Sequence, residues 1–177
     1  MLKVKLFIFI VVLFNIQVIF PLKVFAESSY VLPYPSYMPS SLFYGLHYRW
    51  EVISKYWYFG NLSQFVYNVK LSDKYLVEAK TLFEYKQYLF AHKALIKSDE
   101  YFDKAFLFLD KARKEGKNTV QKEVLFKEAA QKHIEVLEKI KQSVPETFIW
   151  MPEKEKETLL SIWEKLDKAV EIRKRYL

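Results

Sequence analysis

The chain has 177 residues, 51% hydrophobic and 28% charged, with a formal charge of +7, a balance that excludes both a low-complexity disordered polymer and a polytopic membrane protein. It contains no cysteine, which excludes disulfides, thiolate metal sites, cysteine nucleophiles and a lipidated cysteine anchor. Its three glycines, at 45, 60 and 116, are too few and too far apart for a glycine-rich phosphate loop.

Lys3 and Lys5 precede the apolar run Leu6 to Phe14, and Pro21 precedes Val24-Phe25-Ala26. This is the pattern of a secretory signal peptide over residues 1–26, with small residues at the positions a signal peptidase demands and cleavage between Ala26 and Glu27. The alternative is an uncleaved anchor, because Leu6 to Leu22 is just long enough to span a bilayer. In either case the remainder is expected outside the cytoplasm, secreted or at the cell envelope. Removal of Lys3, Lys5 and Lys23, with no acid lost, lowers the formal charge from +7 to +4. The remaining lysines alternate with glutamates along helix-like segments, a solvated pattern that does not predict nucleic-acid binding.

Residues 27–40 hold Pro33, Pro35 and Pro39 among serines and tyrosines, and are expected to form an extended linker or a strap laid on the domain. A helical domain is expected over 41–177. Ser41 can cap a first helix running to Tyr58, with Leu42, Leu46, Trp50, Ile53 and Trp57 on one face. A second helix starts at Asn61 or Ser63 and turns Phe65, Val69, Ser72, Leu76, Ala79 and Phe83 inward. With no glycine or proline to mark it, the next break is placed at Tyr85 to Gln87. A third helix carries Tyr88, Leu95, Phe102, Phe106 and Leu109 and stops at Lys114-Glu115-Gly116.

Thr119 is placed to cap a fourth helix with Val124, Ala130, Leu137 and Val144 along one side, ended by Pro145. The loop Pro145 to Met151 is too apolar at Phe148, Ile149 and Trp150 to stay in water, and should fold back. A fifth helix is predicted from Pro152, with Glu153, Glu155 and Glu157 near its positive end and Leu159, Trp163, Leu166 and Val170 buried. The fold class expected is all-α, a mostly antiparallel bundle of about five helices. A helical solenoid is the second choice, disfavoured because no 34-residue repeat is present.

Residues 27–67 hold 13 of the 32 aromatic side chains, so this stretch must cover something. Tyr48, Trp50, Tyr56, Trp57 and Tyr58 can form a platform for a partner, since such rings offer apolar area with a polar tip. Tyrosine-rich surfaces serve both purposes, and the possibility favoured is the other, that the first helix lies across the bundle and its rings are core, with leftover tyrosines at the boundary. His47, His92 and His133 have no spacing that presents two imidazoles to one metal. Asp99, Glu100 and Asp103 lie beside Lys97 and Lys104, the mark of ordinary surface pairing. No serine stands in a nucleophile-elbow setting. No catalytic, cofactor-binding or metal-ligating set is therefore assigned, and no cofactor is expected.

The succession Leu32-Pro33, Pro39-Ser40-Ser41-Leu42-Phe43-Tyr44-Gly45-Leu46, Trp50-Glu51 and Glu78-Ala79-Lys80 resembles the bacterial domain of unknown function family 5667 over roughly residues 31–115. His47 stands where a lysine is common in that family, and Phe59-Gly60-Asn61 replaces an acidic-proline turn. The resemblance implies an extracytoplasmic helical domain and carries over no site. The function expected is a non-catalytic module that binds a protein or cell-envelope partner, the alternative being a small-molecule carrier with an aromatic cleft between the first helix and the bundle.

Overall fold

The computed structural model describes residues 28–35, 38–39, 41–153 and 156–177. The expected signal segment, with Ala26 and Glu27, lies outside the described residues. Among the described residues five α-helices and one hairpin follow one another: α1 (Tyr44–Ser54), a short 3-10 turn (Lys55–Trp57), α2 (Asn61–Glu84), α3 (Tyr88–Lys114), α4 (Val120–Ser143), β1 (Thr147–Trp150), β2 (Thr158–Ser161) and α5 (Ile162–Lys174). The mostly helical bundle is as the periodicity predicts. The hairpin corrects the all-α expectation.

Helices α2 to α5 form the bundle. Phe83 meets Tyr88 and Tyr75 stacks on Tyr101, so α2 and α3 run antiparallel. Phe65 meets Phe126 and His133 meets Asp73, so α2 and α4 run parallel. Both α3 and α4 pack on α2 and on α5, leaving α3 and α4 facing each other across a diagonal. All six positions predicted to face inward on α2 are buried. Val124, placed on the inner side of α4, is instead exposed; Phe126, Ala129, Ala130, His133 and Leu137 form that side. Ala130, Leu137 and Val144, the other three positions placed on that side, are buried, so period and phase both hold and only the first turn departs.

Both helix ends that flank α3 close in the same way. After α2, the Gln87 amide reaches the Leu82 carbonyl and the Lys86 amide the Phe83 carbonyl; after α3, Lys117 reaches Ala112 and Gly116 reaches Arg113. Each requires one left-handed residue, supplied by Gly116 at φ 74° and, less favourably, by Lys86 at φ 59°.

The apolar loop does fold back, but as a strand. Phe148 faces Leu160 and Trp150 faces Thr158 in the antiparallel register, and the Phe148 ring packs on Tyr88 with centroids 4.7 Å apart. The predicted start of the fifth helix at Pro152 is therefore ten residues early: Leu159 is in β2, exposed, and Leu160 is the residue that enters the core. Thr119 precedes α4 as expected, yet its hydroxyl bonds the Glu123 carboxylate at 2.7 Å rather than a free amide.

Candidate functional site

The first helix departs most from expectation. Leu46, Trp50, Ile53 and Trp57, the face predicted to be buried, are 68, 54, 52 and 61% exposed. The segment 41–60 contains one acid, Glu51, and Glu51 is what turns inward. Its carboxylate pairs with Lys74 and accepts the Tyr75 hydroxyl at 3.0 Å, and its carbonyl accepts the Tyr67 hydroxyl at 2.9 Å. Two turns earlier the Tyr44 hydroxyl donates to Glu78 at 3.0 Å. Polar bonds thus hold α1 to the bundle, and the apolar face is left outward. Rings expected in the core are on the surface because the inner side of the helix is claimed by these bonds.

Of the five candidate residues, Trp50 and Trp57 meet edge to face with centroids 5.3 Å apart, and Tyr56 is exposed beside them. Tyr58 does not join them; it is half-buried against Tyr67, at 5.0 Å. The Tyr48 side chain lies outside the described residues. Arg49 and Lys55 are exposed on the same helix and turn.

A second assembly, not foreseen from the sequence, crosses the middle of the bundle. An apolar cluster around Leu76, Leu95, Leu137 and Leu166 and another around Phe65, Phe102 and Phe126 are separate. Between them each bundle helix contributes a polar side chain: Asp73 from α2, Asp99 from α3, His133 from α4 and Arg173 from α5. Arg173 pairs with Asp99, donates to the Ser98 hydroxyl at 2.9 Å and to the Ala169 carbonyl at 3.1 Å. Lys165 takes the second Asp99 oxygen at 2.8 Å. Asp99, expected in a surface cluster, is hence a buried ion-pair partner.

The proton on His133 is fixed by its neighbours. Arg173 Nε, which can only donate, faces Nδ1 at 3.5 Å, so the hydrogen sits on Nε2 and is given to Asp73 Oδ1 at 2.8 Å. Burial lowers the His133 pKa, against the raising influence of Asp73, and the ring is neutral. The other Asp73 oxygen accepts the Tyr30 hydroxyl at 2.6 Å. Burial first and then Asp73 raise the Tyr30 pKa, so this phenol remains a donor. An Asp-His pair of this kind resembles half of a hydrolytic triad. Here the second imidazole nitrogen faces a guanidinium, which has no proton to lose and no nucleophilic atom. The assembly is suited to holding helices in register.

Tyr30 belongs to the strap, residues 28–35, whose start is tied to α4: the Ser28 amide donates to Glu135 at 2.6 Å and its hydroxyl to the Glu128 carbonyl at 3.0 Å. Below the strap is a cavity of about 470 Å³ walled by Leu32, Pro33, Phe65, Val66, Val69 and Leu125, with Lys70, Lys122 and Asp73 also lining it. Its walls come from the strap, α2 and α4 and include none of the first-helix rings expected to line a carrier's cleft.

His92, on α3, and His133 stand in different surroundings, and among the described residues no group of three or more His, Asp or Glu side chains is placed to hold a metal ion. No helix among the described residues is long and apolar enough to cross a membrane. Compared with known proteins, the chain matches no family model, no curated protein and no solved structure.

Proposed function

We propose that the chain is an extracytoplasmic, non-catalytic helical module that docks on the cell envelope through the outward face of α1, and that an anionic bilayer surface is the partner this face fits. The observation that carries the reading is the inversion of α1. Its only acid is spent on the bundle, while Trp50, Ile53, Tyr56 and Trp57 are exposed together with Arg49 and Lys55. Aromatic and aliphatic side chains interleaved with bases are the composition that settles at the boundary of headgroups and acyl chains. The apolar stretch Leu6 to Leu22, which can direct export or anchor the chain, supports the same compartment.

The test uses the full chain with phosphatidylglycerol vesicles carrying brominated acyl chains. Expected is quenching of indole fluorescence that is lost in Trp50→Phe/Trp57→Phe, together with weaker vesicle flotation of Ile53→Ser/Trp57→Ser than of the unaltered chain. Because every version keeps residues 6–22, the difference reports α1. Equal flotation and no quenching of these two indoles would overturn the bilayer as partner. A discrete protein crosslinked in cells through a photoreactive residue at position 53, without lipid quenching, would replace it by a protein.

A further inference from the structure

We infer that the cavity beneath the strap is a binding site for a single-chain amphipathic anion, of which a long-chain carboxylate is the simplest example. Its volume of about 470 Å³ lies within the range of about 300–1,000 Å³ typical of small-molecule sites. Leu32, Pro33, Phe65, Val66, Val69 and Leu125 offer such a ligand hydrocarbon surface on three sides, from the strap, α2 and α4. Val66, in the second turn of α2 between the buried Phe65 and Tyr67, is 40% exposed, so this wall has apolar area left uncovered by the described residues.

The sign of the head group follows from the charges at the lining. Lys70 and Lys122 reach the cavity, and neither has an ion pair with another described residue. The acid that also lines it, Asp73, cannot answer them, because one carboxylate oxygen takes the His133 proton and the other the Tyr30 hydroxyl. Two lysines therefore line an apolar hollow whose one described lining carboxylate is already engaged, and a ligand that is apolar along its length and negative at one end answers both. Tyr30 and Ser28 pin the strap to the bundle beside the site, so that wall is fixed by bonds that the ligand need not break.

The experiment is calorimetric titration of the full chain with dodecanoate and with dodecanol, both below the concentrations at which they aggregate. Expected is saturable one-to-one binding of dodecanoate, weakened at least tenfold in Lys70→Gln/Lys122→Gln, while dodecanol binds the two proteins alike. Val66→Trp, which fills the hollow from a half-exposed position and so spares the fold, should abolish binding of both. No saturable binding to the unaltered chain, or undiminished binding to Val66→Trp, would overturn the site. Undiminished dodecanoate binding after loss of both lysines would overturn the anionic head. The Ile53→Ser/Trp57→Ser variant should bind dodecanoate normally, which keeps failure of this site separate from failure of the docking face.

Discussion

Arg173 is wholly enclosed, and a guanidinium there is tolerable only while Asp99, Ser98 and the Ala169 carbonyl accept its protons. Removing one member of a buried pair leaves the other desolvated without compensation, at a cost of about 3–5 kcal/mol. Arg173→Met should fall near the lower end, since Lys165 still answers one Asp99 oxygen; the midpoint and slope of urea unfolding check this. His133 gives a pH dependence of known sign. Its folded pKa lies below the ordinary value of about 6.5, chiefly through burial, so below that value the unfolded chain holds more protons than the folded one. The stability it contributes is complete above about pH 6.5 and is lost as pH falls through the lowered value. The urea midpoint should drop with acidification across that window, and His133→Gln should lack this part of the drop. None of these partners was legible in the sequence. Asp99 stands between Lys97 and Lys104 on the chain, and nothing local says that its counter-charge is 74 residues away.

Elements were easier to read where a regular pattern coincided with burial. On α2 every predicted inward residue is buried, and the unmarked break at Tyr85 to Gln87 is where the helix ends. That break shows why it was hard to see: the left-handed position that glycine fills after α3 is filled by Lys86. A left-handed side chain costs roughly 1–2 kcal/mol, while glycine gives back about 0.5–1 kcal/mol in unfolded-state entropy. Lys86→Gly should accordingly stabilise the chain by about 0.5–1 kcal/mol, measurable as a rise in Tm. The hairpin was missed for a different reason. Four-residue strands are too short to display alternation, and the acids at 153, 155 and 157 imitate the first turn of a helix although Glu153 and Glu157 lie between the two strands. Amphipathic period also misled on α1, where it is real but points the apolar side to solvent.

For the whole molecule, the bundle and the docking face are separable. Trp57→Ser and Ile53→Ser remove exposed side chains and should shift unfolding by no more than about 0.5 kcal/mol. Glu51→Ala should act on the attachment instead, leaving Lys74 and Tyr75 without the carboxylate that joins them to α1. Hydrogen exchange should then quicken over residues 44–57 and stay unchanged at Leu76, Leu95 and Leu137 in the core. Slowed or unchanged exchange over 44–57 would show that α1 is held by its rings after all. The aromatic stripe of α1 was thus legible in the sequence but its direction was not: Trp50, Tyr56 and Trp57 are exposed and Tyr58 is half-buried, because the inner side of the helix is claimed by Tyr44 and Glu51 bonded to α2.

The polar layer has a kinetic consequence as well. Its bonds join residues 43, 60 and 74 positions apart and draw on the strap and all four bundle helices. Such contacts close only after the chain has largely assembled, since each must overcome loop entropy that local helix contacts do not meet. Substitutions at Asp73, His133 or Arg173 should therefore leave refolding rates nearly intact and speed escape from the native state. The layer acts as a latch that shuts last and determines how long the folded molecule survives.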